Sequence, residues 1–357
     1  MIIRVELKEN SYDILLESGI LQRTGEQLKR YLPQSRRWMI VTDENVNSMY
    51  GGLVEAAIRD AGLGVSRLVL PPGEATKSLA KLEEVYRALC AAGISRSDGL
   101  IALGGGVIGD LAGFAAATYL RGIPYVQAPT SLLAQVDSAV GGKVAVDLPE
   151  GKNLVGNFYQ PKLVLLDPDT LQTLPDRVFA DGMGEVIKYG CIRDAALFQL
   201  LASTPGRAAL MPSMADIIAR CVAIKADIVS RDERDTGERM LLNFGHTLAH
   251  AIETLQNYSG LSHGEAVSVG MHLICRLAEA KGLTVSGTAD AVQRCLQAHN
   301  LPFAASLGNT DKLFDILGRD KKNLGKSLFV VLLSKIGESR LFETTPDFFS
   351  GVEAWLR

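Results

Sequence analysis

The histidines are the residues whose type and spacing most directly suggest chemistry. All five lie after residue 245, and His246 and His250 are four residues apart, so on a helix they share one face. His263 follows in a His-Gly-Glu string, whereas His272 and His299 have no polar neighbours in sequence, and we assign them no role. Two histidines, a carboxylate and an open position form a common catalytic zinc site. Spacing alone therefore nominates His246 and His250 as ligands.

A carboxylate for such a site lies upstream, in Gly182-Met-Gly-Glu-Val-Ile-Lys-Tyr189. Glu185 and Lys188 are one helical turn apart in this string. No glutamate directly follows His246, which argues against a zinc protease of the His-Glu-x-x-His type. For any one of these histidines alone, a capping or core role is the favoured interpretation, so spacing leaves the ligand set open.

A glycine-rich turn in the first half suggests a dinucleotide site. Gly104, Gly106 and Gly109 fit the Gly-x-Gly-x-x-Gly pattern between a strand-like run and a helix-like segment. Such glycines let the backbone approach a pyrophosphate at a helix N-terminus. The turn is not in the first strand–helix unit, and no acid follows about 20 residues on. Asp43, after an earlier strand, could instead hold a ribose hydroxyl, and a tight turn without ligand is the alternative.

Two lysines flanked by glycines follow. Lys143 ends Asp137-Ser-Ala-Val-Gly-Gly-Lys143, and Lys152 lies in Gly151-Lys-Asn153. An ammonium beside open backbone N–H groups suits a phosphate. The Gly-x-x-x-x-Gly-Lys-Ser/Thr signature is absent, so this is not a P-loop, and a solvated surface position remains the alternative for either lysine.

The elements that must position these groups change character along the chain. Up to about residue 170, short apolar runs alternate with helix-like segments, which predicts a mostly parallel α/β sheet. The strand-like runs are Trp38–Thr42, Arg67–Leu70, Gly99–Leu103, Tyr125–Ala128 and Leu163–Leu166. We place a domain boundary near residues 173–175, where this alternation ends. It gives a cofactor-binding α/β domain over residues 1–174 and a second domain over 175–357.

The second half is predicted to be helical. The helix-like segments are Leu197–Leu201, Ile217–Ile228, Met240–Leu255, Ala266–Ala280 and Ala289–Ala298. A single strand-like run, Leu328–Leu333, interrupts this pattern. An all-α domain that binds metal and substrate is therefore expected.

Composition excludes several classes of protein. The 357 residues are 47% hydrophobic and 22% charged, with a formal net charge of −3, which argues against a disordered chain and a basic nucleic-acid surface. The apolar stretch Leu100–Leu120 contains Asp110 and several glycines, so we expect no membrane span there. The charged first ten residues do not resemble a secretory leader. Five cysteines without a Cys-x-x-Cys pair indicate reduced thiols and a cytoplasmic location.

The motifs together resemble the dehydroquinate synthase family of sugar-phosphate cyclases. The strings that carry the resemblance are Gly104-Gly-Gly-Val-Ile-Gly-Asp110, Gln135-Val-Asp-Ser-Ala-Val-Gly-Gly-Lys143, Gly151-Lys-Asn153, Gly184-Glu-Val-Ile-Lys188, Asn243-Phe-Gly-His-Thr247, His250-Ala-Ile-Glu253, His263-Gly-Glu-Ala266 and Asp320-Lys-Lys322. They follow the family's order and span most of the chain. Each is moderately specific, and the set is highly specific.

The resemblance implies a Rossmann-like NAD⁺ domain, a helical domain and an active site in the cleft between them. The implied reaction converts 3-deoxy-D-arabino-heptulosonate 7-phosphate to 3-dehydroquinate and phosphate in the shikimate pathway of aromatic amino-acid biosynthesis. NAD⁺ would take a hydride from the ring and later return it, and oxidation would acidify the neighbouring C–H so that phosphate leaves. Reduction, ring opening and aldol closure would follow.

The resemblance also implies roles for individual residues. It moves His250 to the substrate and makes Glu185, His246 and His263 the ligands of Zn²⁺, for which Co²⁺ could substitute. The implied catalytic and substrate-binding residues are Asp137, Lys143, Asn153, Lys188, Lys225, Arg239, Asn243 and His250. The implied NAD⁺ contacts are Asp43, Asn45, Glu74, Lys77, Gly105, Gly106, Val107, Ile108, Gly109, Asp110, Thr130, Ser131, Lys143, Lys152, Thr170, Leu171, Gln172 and Thr173. Arg121 resembles a residue that reaches the neighbouring subunit's pocket, which implies a homodimer.

Two other functions compete with this one. A related cyclase of aminocyclitol biosynthesis would take a sugar phosphate without a carboxylate. A metal-dependent alcohol dehydrogenase would release its NADH, and the several cations predicted for the pocket argue against its small uncharged substrate. A non-catalytic binding module would leave the many polar groups in apolar segments unexplained.

Overall fold

The computed structural model describes residues 1–256, 260–305, 313, 316 and 328–355. The chain folds into two compact units. We call residues 1–174 with 225–233 the sheet unit, and residues 175–224 with 234–357 the helical unit. The string Asp320-Lys-Lys322, which contributed to the family resemblance, lies outside the described residues.

The sheet unit is built on a seven-stranded sheet whose order is β1-β2-β9-β6-β5-β3-β4. All neighbouring strands are parallel except β1 and β2. A separate antiparallel hairpin, β7–β8, carries two of the predicted lysines. The strands are β1 (Ile2–Val5), β2 (Tyr12–Leu16), β3 (Arg37–Asp43), β4 (Gly64–Leu70), β5 (Gly99–Gly104), β6 (Tyr125–Pro129), β7 (Lys143–Leu148), β8 (Gly151–Phe158) and β9 (Leu163–Leu166).

Helices cover both faces of this sheet, which explains why its central strands are continuous apolar runs. Leu100 and Ala102 of β5 face one hydrophobic cluster, and Ile101 and Leu103 face the other. Every residue of β5 and β9 is buried. The helices of the unit are α1 (Thr24–Tyr31), α2 (Glu44–Val46), α3 (Gly52–Asp60), α4 (Leu79–Ala91) and α5 (Gly106–Thr118). The predicted mostly parallel α/β architecture is confirmed.

The helical unit contains α6 (Asp176–Ile192), α7 (Ala195–Ser203), α8 (Arg207–Leu210), most of α9 (Met214–Arg231), α10 (His246–Leu255), α11 (His263–Ala280) and α12 (Thr288–Ala298). It also holds an antiparallel hairpin, β10 (Leu328–Lys335) with β11 (Glu338–Thr344). The unit is predominantly helical as expected, but it is not all-α, because it contains the β10–β11 hairpin. The strand-like run Leu328–Leu333 had indicated its first strand.

Two local features differ from the sequence-based expectation. Met240–Leu255 is not one helix, because the short 3₁₀ turn Glu238–Asn243 ends before Gly245, whose φ of +82° starts α10 in a new direction. The segment 225–233, at the end of α9, groups with the sheet unit although it follows the predicted boundary. No helix among the described residues has the length and apolar composition that a membrane span requires.

Candidate active site

Three buried or half-buried side chains of the helical unit converge as a possible metal site. Glu185 lies on α6, His246 begins α10 and His263 begins α11. Their donor atoms all lie within 4.8 Å of one another. Glu185 Oε1 is 3.6 Å from Nε2 of His246 and 3.6 Å from Nε2 of His263.

Glycines next to the ligands let the three helices approach this closely. A Cβ on Gly264 would lie 1.9 Å from the Asp181 carbonyl oxygen of α6, and a Cβ on Gly184 would lie 2.6 Å from the Gly264 carbonyl oxygen. The Gly264 amide also donates to Asp181 Oδ1 at 2.6 Å. On the other side of α11, a Cβ on Gly270 would lie 2.1 Å from the Gly245 carbonyl oxygen. Each ligand is therefore the sequence neighbour of a glycine at a helix contact.

Both imidazole rings are oriented through Nδ1. His246 Nδ1 is 3.3 Å from the Phe244 carbonyl oxygen, and His263 Nδ1 is 3.4 Å from Glu253 Oε1. These partners accept hydrogen bonds, so Nδ1 donates in each ring and Nε2 is directed toward Glu185. Outer partners of this kind are typical of metal-binding histidines.

The two rings have opposite pKa shifts. Burial lowers the pKa of His246 to about 3, so this ring is neutral at pH 7. Burial also lowers the pKa of His263, but hydrogen bonds and charge from Glu185 and Glu253 outweigh it and raise the pKa to about 10. The carboxylates of Glu185 and Glu253 therefore favour a positive charge at His263.

The donor set fits a divalent metal ion. Ligands about 2.0–2.1 Å from a tetrahedral zinc lie about 3.3 Å apart, close to the two Nε2–Oε1 distances of 3.6 Å. Nitrogen and carboxylate oxygen are donors that zinc accepts, and three protein ligands leave a fourth position for substrate. The structure thus brings together the three ligands that the family resemblance implies, and His250 is outside this group.

The other predicted residues of the helical unit lie on α6, on α10 and on the 3₁₀ turn that precedes α10. Lys188 is 1% exposed and forms an ion pair with Glu185 one turn away on α6. His250 is exposed on α10, where its ring centroid is 5.7 Å from that of His246. Arg239 is only 3% exposed, and Asn243 is exposed at the end of the same 3₁₀ turn.

The candidate cofactor residues of the sheet unit gather at the carboxyl ends of its strands. Strands β3 and β5 are neighbours in the sheet. The strand that follows β3 in the chain, β4, lies on one side of this pair, whereas β6 and β9, which follow β5, lie on the other side. Such a switch point is where open α/β sheets bind ligands. Asp43 ends β3, and Gly105 caps α5 directly after β5. Asp43 and the glycine turn thus lie at the edge that this topology favours.

The glycine turn holds α5 close to the sheet. A Cβ on Gly109 would lie 2.9 Å from Gln127 Oε1 of β6, and a Cβ on Gly105 would approach nothing nearer than Ser131 Oγ at 3.4 Å. Gly106, Val107 and Ile108 form the first turn of α5. Asp43 Oδ1 accepts from the amide of Asn45 at 2.9 Å, so this side chain also caps α2.

A buried lysine connects three segments at this edge. Lys77 Nζ is 2.5 Å from Asp110 Oδ2 on α5 and also donates to Asn153 Oδ1 on β8. Burial raises the pKa of Asp110, and the charge of Lys77 opposes that shift. Lys152, next to Asn153, lies 3.5 Å from Glu74 Oε1. Four predicted NAD⁺ contacts and one substrate residue are thus linked.

The turns after β6 and β9 are held by a buried network. Gln135 Nε2 donates to the carbonyl oxygens of Pro129 and Asp167 and to Thr170 Oγ1. The Thr130 amide donates to the Gly104 carbonyl oxygen at 2.9 Å. Leu171 is buried, Gln172 is exposed, and Thr173 Oγ1 lies 2.8 Å from the Tyr50 hydroxyl. Thr170 and Leu171 are therefore placed to shape this turn from within.

Two of the predicted substrate residues of the sheet unit form an ion pair, although they are 88 residues apart in sequence. Lys225 Nζ lies 3.0 Å from Asp137 Oδ1 and donates to the Asp137 carbonyl oxygen at 2.6 Å. Lys143 is exposed at the start of β7, and Asn153 has a left-handed φ of +57°. The return of α9 to the sheet unit thus brings Lys225 to Asp137.

Sequence reasoning missed one residue beside the metal cluster. Glu253 entered only as part of a motif string, although its spacing of seven from His246 places it on the same face of α10. His272 and His299 have structural roles, since His272 Nδ1 is 2.7 Å from the Phe303 carbonyl oxygen and His299 Nε2 is 2.9 Å from that of Leu201.

Comparison with known proteins decides the family. The family described as 3-dehydroquinate synthase N-terminal matches residues 67–181, and that described as 3-dehydroquinate synthase C-terminal matches residues 182–323. The chain belongs to the 3-dehydroquinate synthase family. The 3-dehydroquinate synthase of Clostridium beijerinckii is 50% identical over 346 residues, which cover 97% of this chain and 99% of that protein. The family that the motifs resemble is therefore confirmed over nearly the full length.

Solved structures of other cyclases share the architecture of this 3-dehydroquinate synthase family member. A 2-epi-5-epi-valiolone synthase from Streptomyces hygroscopicus with bound NAD⁺ and Zn²⁺ is 29% identical, with a TM-score of 0.88 over 98% of this chain and 97% of that one. A 2-deoxy-scyllo-inosose synthase complexed with carbaglucose-6-phosphate, NAD⁺ and Co²⁺ is 26% identical, with a TM-score of 0.86 over 99% of both chains.

Proposed function

We propose that this chain converts 3-deoxy-D-arabino-heptulosonate 7-phosphate to 3-dehydroquinate and phosphate. The observation that carries the proposal is the convergence of Glu185, His246 and His263 in a chain half identical to a 3-dehydroquinate synthase. The proposed place of the enzyme is the shikimate pathway, and its proposed location is the cytoplasm.

The three converging donors would hold Zn²⁺, with Co²⁺ as a substitute, and the turns at the switch point would hold NAD⁺. When bound, these groups would supply hydride transfer out of and back into the substrate and polarisation of the oxidised carbon's oxygen. Two solved relatives bind NAD⁺ with Zn²⁺ or Co²⁺, which supports both assignments. In NAD⁺ binding, the Gly105–Asp110 turn would offer backbone N–H groups to the pyrophosphate, and Asp43 would face a ribose hydroxyl.

Buried cations would bind the anionic ends of the substrate. Lys188 and Arg239 are buried in the helical unit, and Lys225 is buried in the sheet unit. Burial strengthens a charge-assisted hydrogen bond to phosphate or carboxylate because water competes less. Asn243 and His250 would bind substrate hydroxyl groups, and the His250 imidazole would move protons at the reacting carbon. Lys143, Asn153 and Asp137 would complete the site.

We also propose that the enzyme is a homodimer in which Arg121 serves the neighbouring subunit's pocket. Leu120 and Arg121 both have a left-handed φ, +51° and +68°, directly before Gly122 at +120°. Strained backbone of this kind persists where function or packing requires it. Leu120 is 40% exposed in the described chain, so the turn presents an apolar side chain that a second subunit would cover.

An assay of phosphate release from the heptulosonate phosphate tests the reaction. The assay contains Zn²⁺, and NAD⁺ is supplied at a concentration well below that of the substrate. Release of many phosphates per NAD⁺ without accumulation of NADH is expected, because the hydride returns within each turnover. NADH accumulating in step with product would instead support the dehydrogenase alternative. Preference for a sugar phosphate that lacks the carboxylate would support the aminocyclitol cyclase alternative.

A further inference from the structure

Glu253 is a buried carboxylate beside the metal cluster that belongs to neither the ligand set nor the substrate set. It lies on α10 and is 6% exposed. Its Oε1 is 3.4 Å from His263 Nδ1. That nitrogen is on the side of the ring opposite Nε2, which faces Glu185 at 3.6 Å. Glu253 therefore contacts the ligand without joining the group of converging donors.

The two histidine ligands are oriented by different kinds of acceptor. For His246 the acceptor at Nδ1 is the Phe244 carbonyl oxygen, which belongs to the backbone two residues away. For His263 it is a side chain from another helix, ten residues earlier in the chain. The ring of His263 is also the more exposed, with 36% of its side-chain surface accessible against 13% for His246. His263 thus depends more on a side-chain partner for its orientation.

We infer that Glu253 is a positioning residue of the metal site. Its carboxylate accepts the hydrogen bond from His263 Nδ1–H, which fixes the tautomer and aims the Nε2 lone pair at the ion. The inference rests on the proposed metal binding and extends it to a residue that only orients a ligand. Loss of such an outer partner weakens metal binding by roughly 10–100-fold.

Three variants separate the possible contributions of Glu253. Glu253→Met keeps much of the side-chain volume and removes the acceptor, whereas Glu253→Gln keeps an oxygen acceptor and removes the charge. Glu265→Gln is the matched control. Glu265 lies two residues from His263 on α11, but it pairs with Arg177 and accepts from the Ser262 amide. Glutamine preserves that capping interaction.

The measurements are Co²⁺ affinity by competition with a chromophoric chelator, the visible spectrum of bound Co²⁺, and thermal unfolding of the metal-free protein. We expect Glu253→Met to bind Co²⁺ about 10–100-fold more weakly and to show an altered spectrum. Glu253→Gln should retain the wild-type spectrum with a smaller loss of affinity, and Glu265→Gln should match the wild type.

Wild-type affinity and spectrum in Glu253→Met would overturn the inference. Equal losses in Glu253→Met and Glu253→Gln would also overturn it, because glutamine retains an acceptor. If Glu253→Met proves unfolded, the Co²⁺ spectrum of Glu253→Gln tests the inference instead. Glutamine retains an oxygen acceptor, so an altered spectrum in that variant would contradict the orienting role. Failure of the wild type itself to bind Co²⁺ would refute the proposed metal site, a result distinct from a loss confined to the Glu253 variants.

Discussion

The two units present their candidate functional groups in opposite ways. In the sheet unit, the predicted cofactor edge is made of turns at strand ends, where glycine and backbone N–H groups are as important as side chains. In the helical unit, the candidate metal site is made of side chains on three helices, brought together by glycines beside each ligand. One site depends on local backbone shape, and the other depends on the distance between helices.

Removing a ligand should have the largest effect. His263→Ala deletes one of the three proposed metal ligands, so we expect a loss of metal affinity beyond the roughly 10–100-fold typical of an outer partner. Metal analysis after dialysis measures it. His272→Asn is the control, because His272 lies on the same helix and contacts the Phe303 carbonyl oxygen. Full metal occupancy in His263→Ala would return His250 to the ligand set.

Removal of a buried cationic side chain should have the next largest effect on activity. Arg239→Ala is expected to lower kcat/KM by about 10–150-fold, since a hydrogen bond from a charged group to an anion contributes roughly 1.5–3 kcal/mol. Steady-state kinetics measure this, with circular dichroism to verify folding, because Arg239 is only 3% exposed. Arg239→Lys should recover part of the activity. Unchanged kinetics in Arg239→Ala would remove Arg239 from the substrate site.

A methyl group on the cofactor turn tests the backbone-based site. Gly105 has a φ of −78°, and an added Cβ would meet Ser131 Oγ only at 3.4 Å, so Gly105→Ala should fold. We expect NAD⁺ affinity to fall by about 10-fold or more because the methyl group obstructs the approach of the pyrophosphate. Fluorescence titration with NADH measures it, and Gly52→Ala, with no atom within 4 Å of its Cβ, is the control. Equal affinity would show that the ligand does not approach Gly105.

A methyl group between helices tests the distance-based site without changing any ligand. Gly264→Ala places a Cβ 1.9 Å from the Asp181 carbonyl oxygen, so α11 must move relative to α6. We expect about 10-fold weaker Co²⁺ binding and a loss of about 1–3 kcal/mol in stability. Gly190→Ala crowds α6 against Phe198, away from the ligands, and should reduce stability alone. Normal Co²⁺ affinity in Gly264→Ala would show that the helix spacing does not control the site.

A substitution at the amino ends of the sheet's strands should affect stability but not cofactor binding. Burial would raise the pKa of Asp98, but hydrogen bonds from Ser95 and Arg37 bring it below its ordinary value of 3.8. A lowered pKa stabilises the fold above that value, and the contribution is lost as pH falls through the folded-state pKa. Asp98→Asn should therefore lower stability by about 1–2 kcal/mol at pH 7 and by less near pH 3.

Thermal unfolding of Asp98→Asn at both pH values measures this effect. The exposed Asp60→Asn serves as the control. A loss of stability that is the same at pH 7 and pH 3 would contradict the ionic origin of the contribution. Weaker NADH binding in Asp98→Asn would contradict the separation of the two edges.

The sequence predicted the elements of both units well where periodicity or a continuous apolar run was present. The strand Gly99–Gly104 and the helix after it follow from an apolar run that ends in glycines, because a buried parallel strand needs apolar side chains on both faces. Met240–Leu255 was predicted as one helix because its apolar residues recur at helical spacing. The positive φ of Gly245 cannot be read from that pattern.

The metal site shows what sequence and tertiary structure each decided. Local sequence determined that His246, His250 and Glu253 share one face of a helix, since helical geometry depends only on spacing. Spacing alone nominated the pair His246 and His250. Only helix packing decided that Glu185 and His263, 78 residues apart in sequence, meet His246 instead. The same holds for Lys225 and Asp137, because such contacts depend on how the chain returns, which no local pattern encodes.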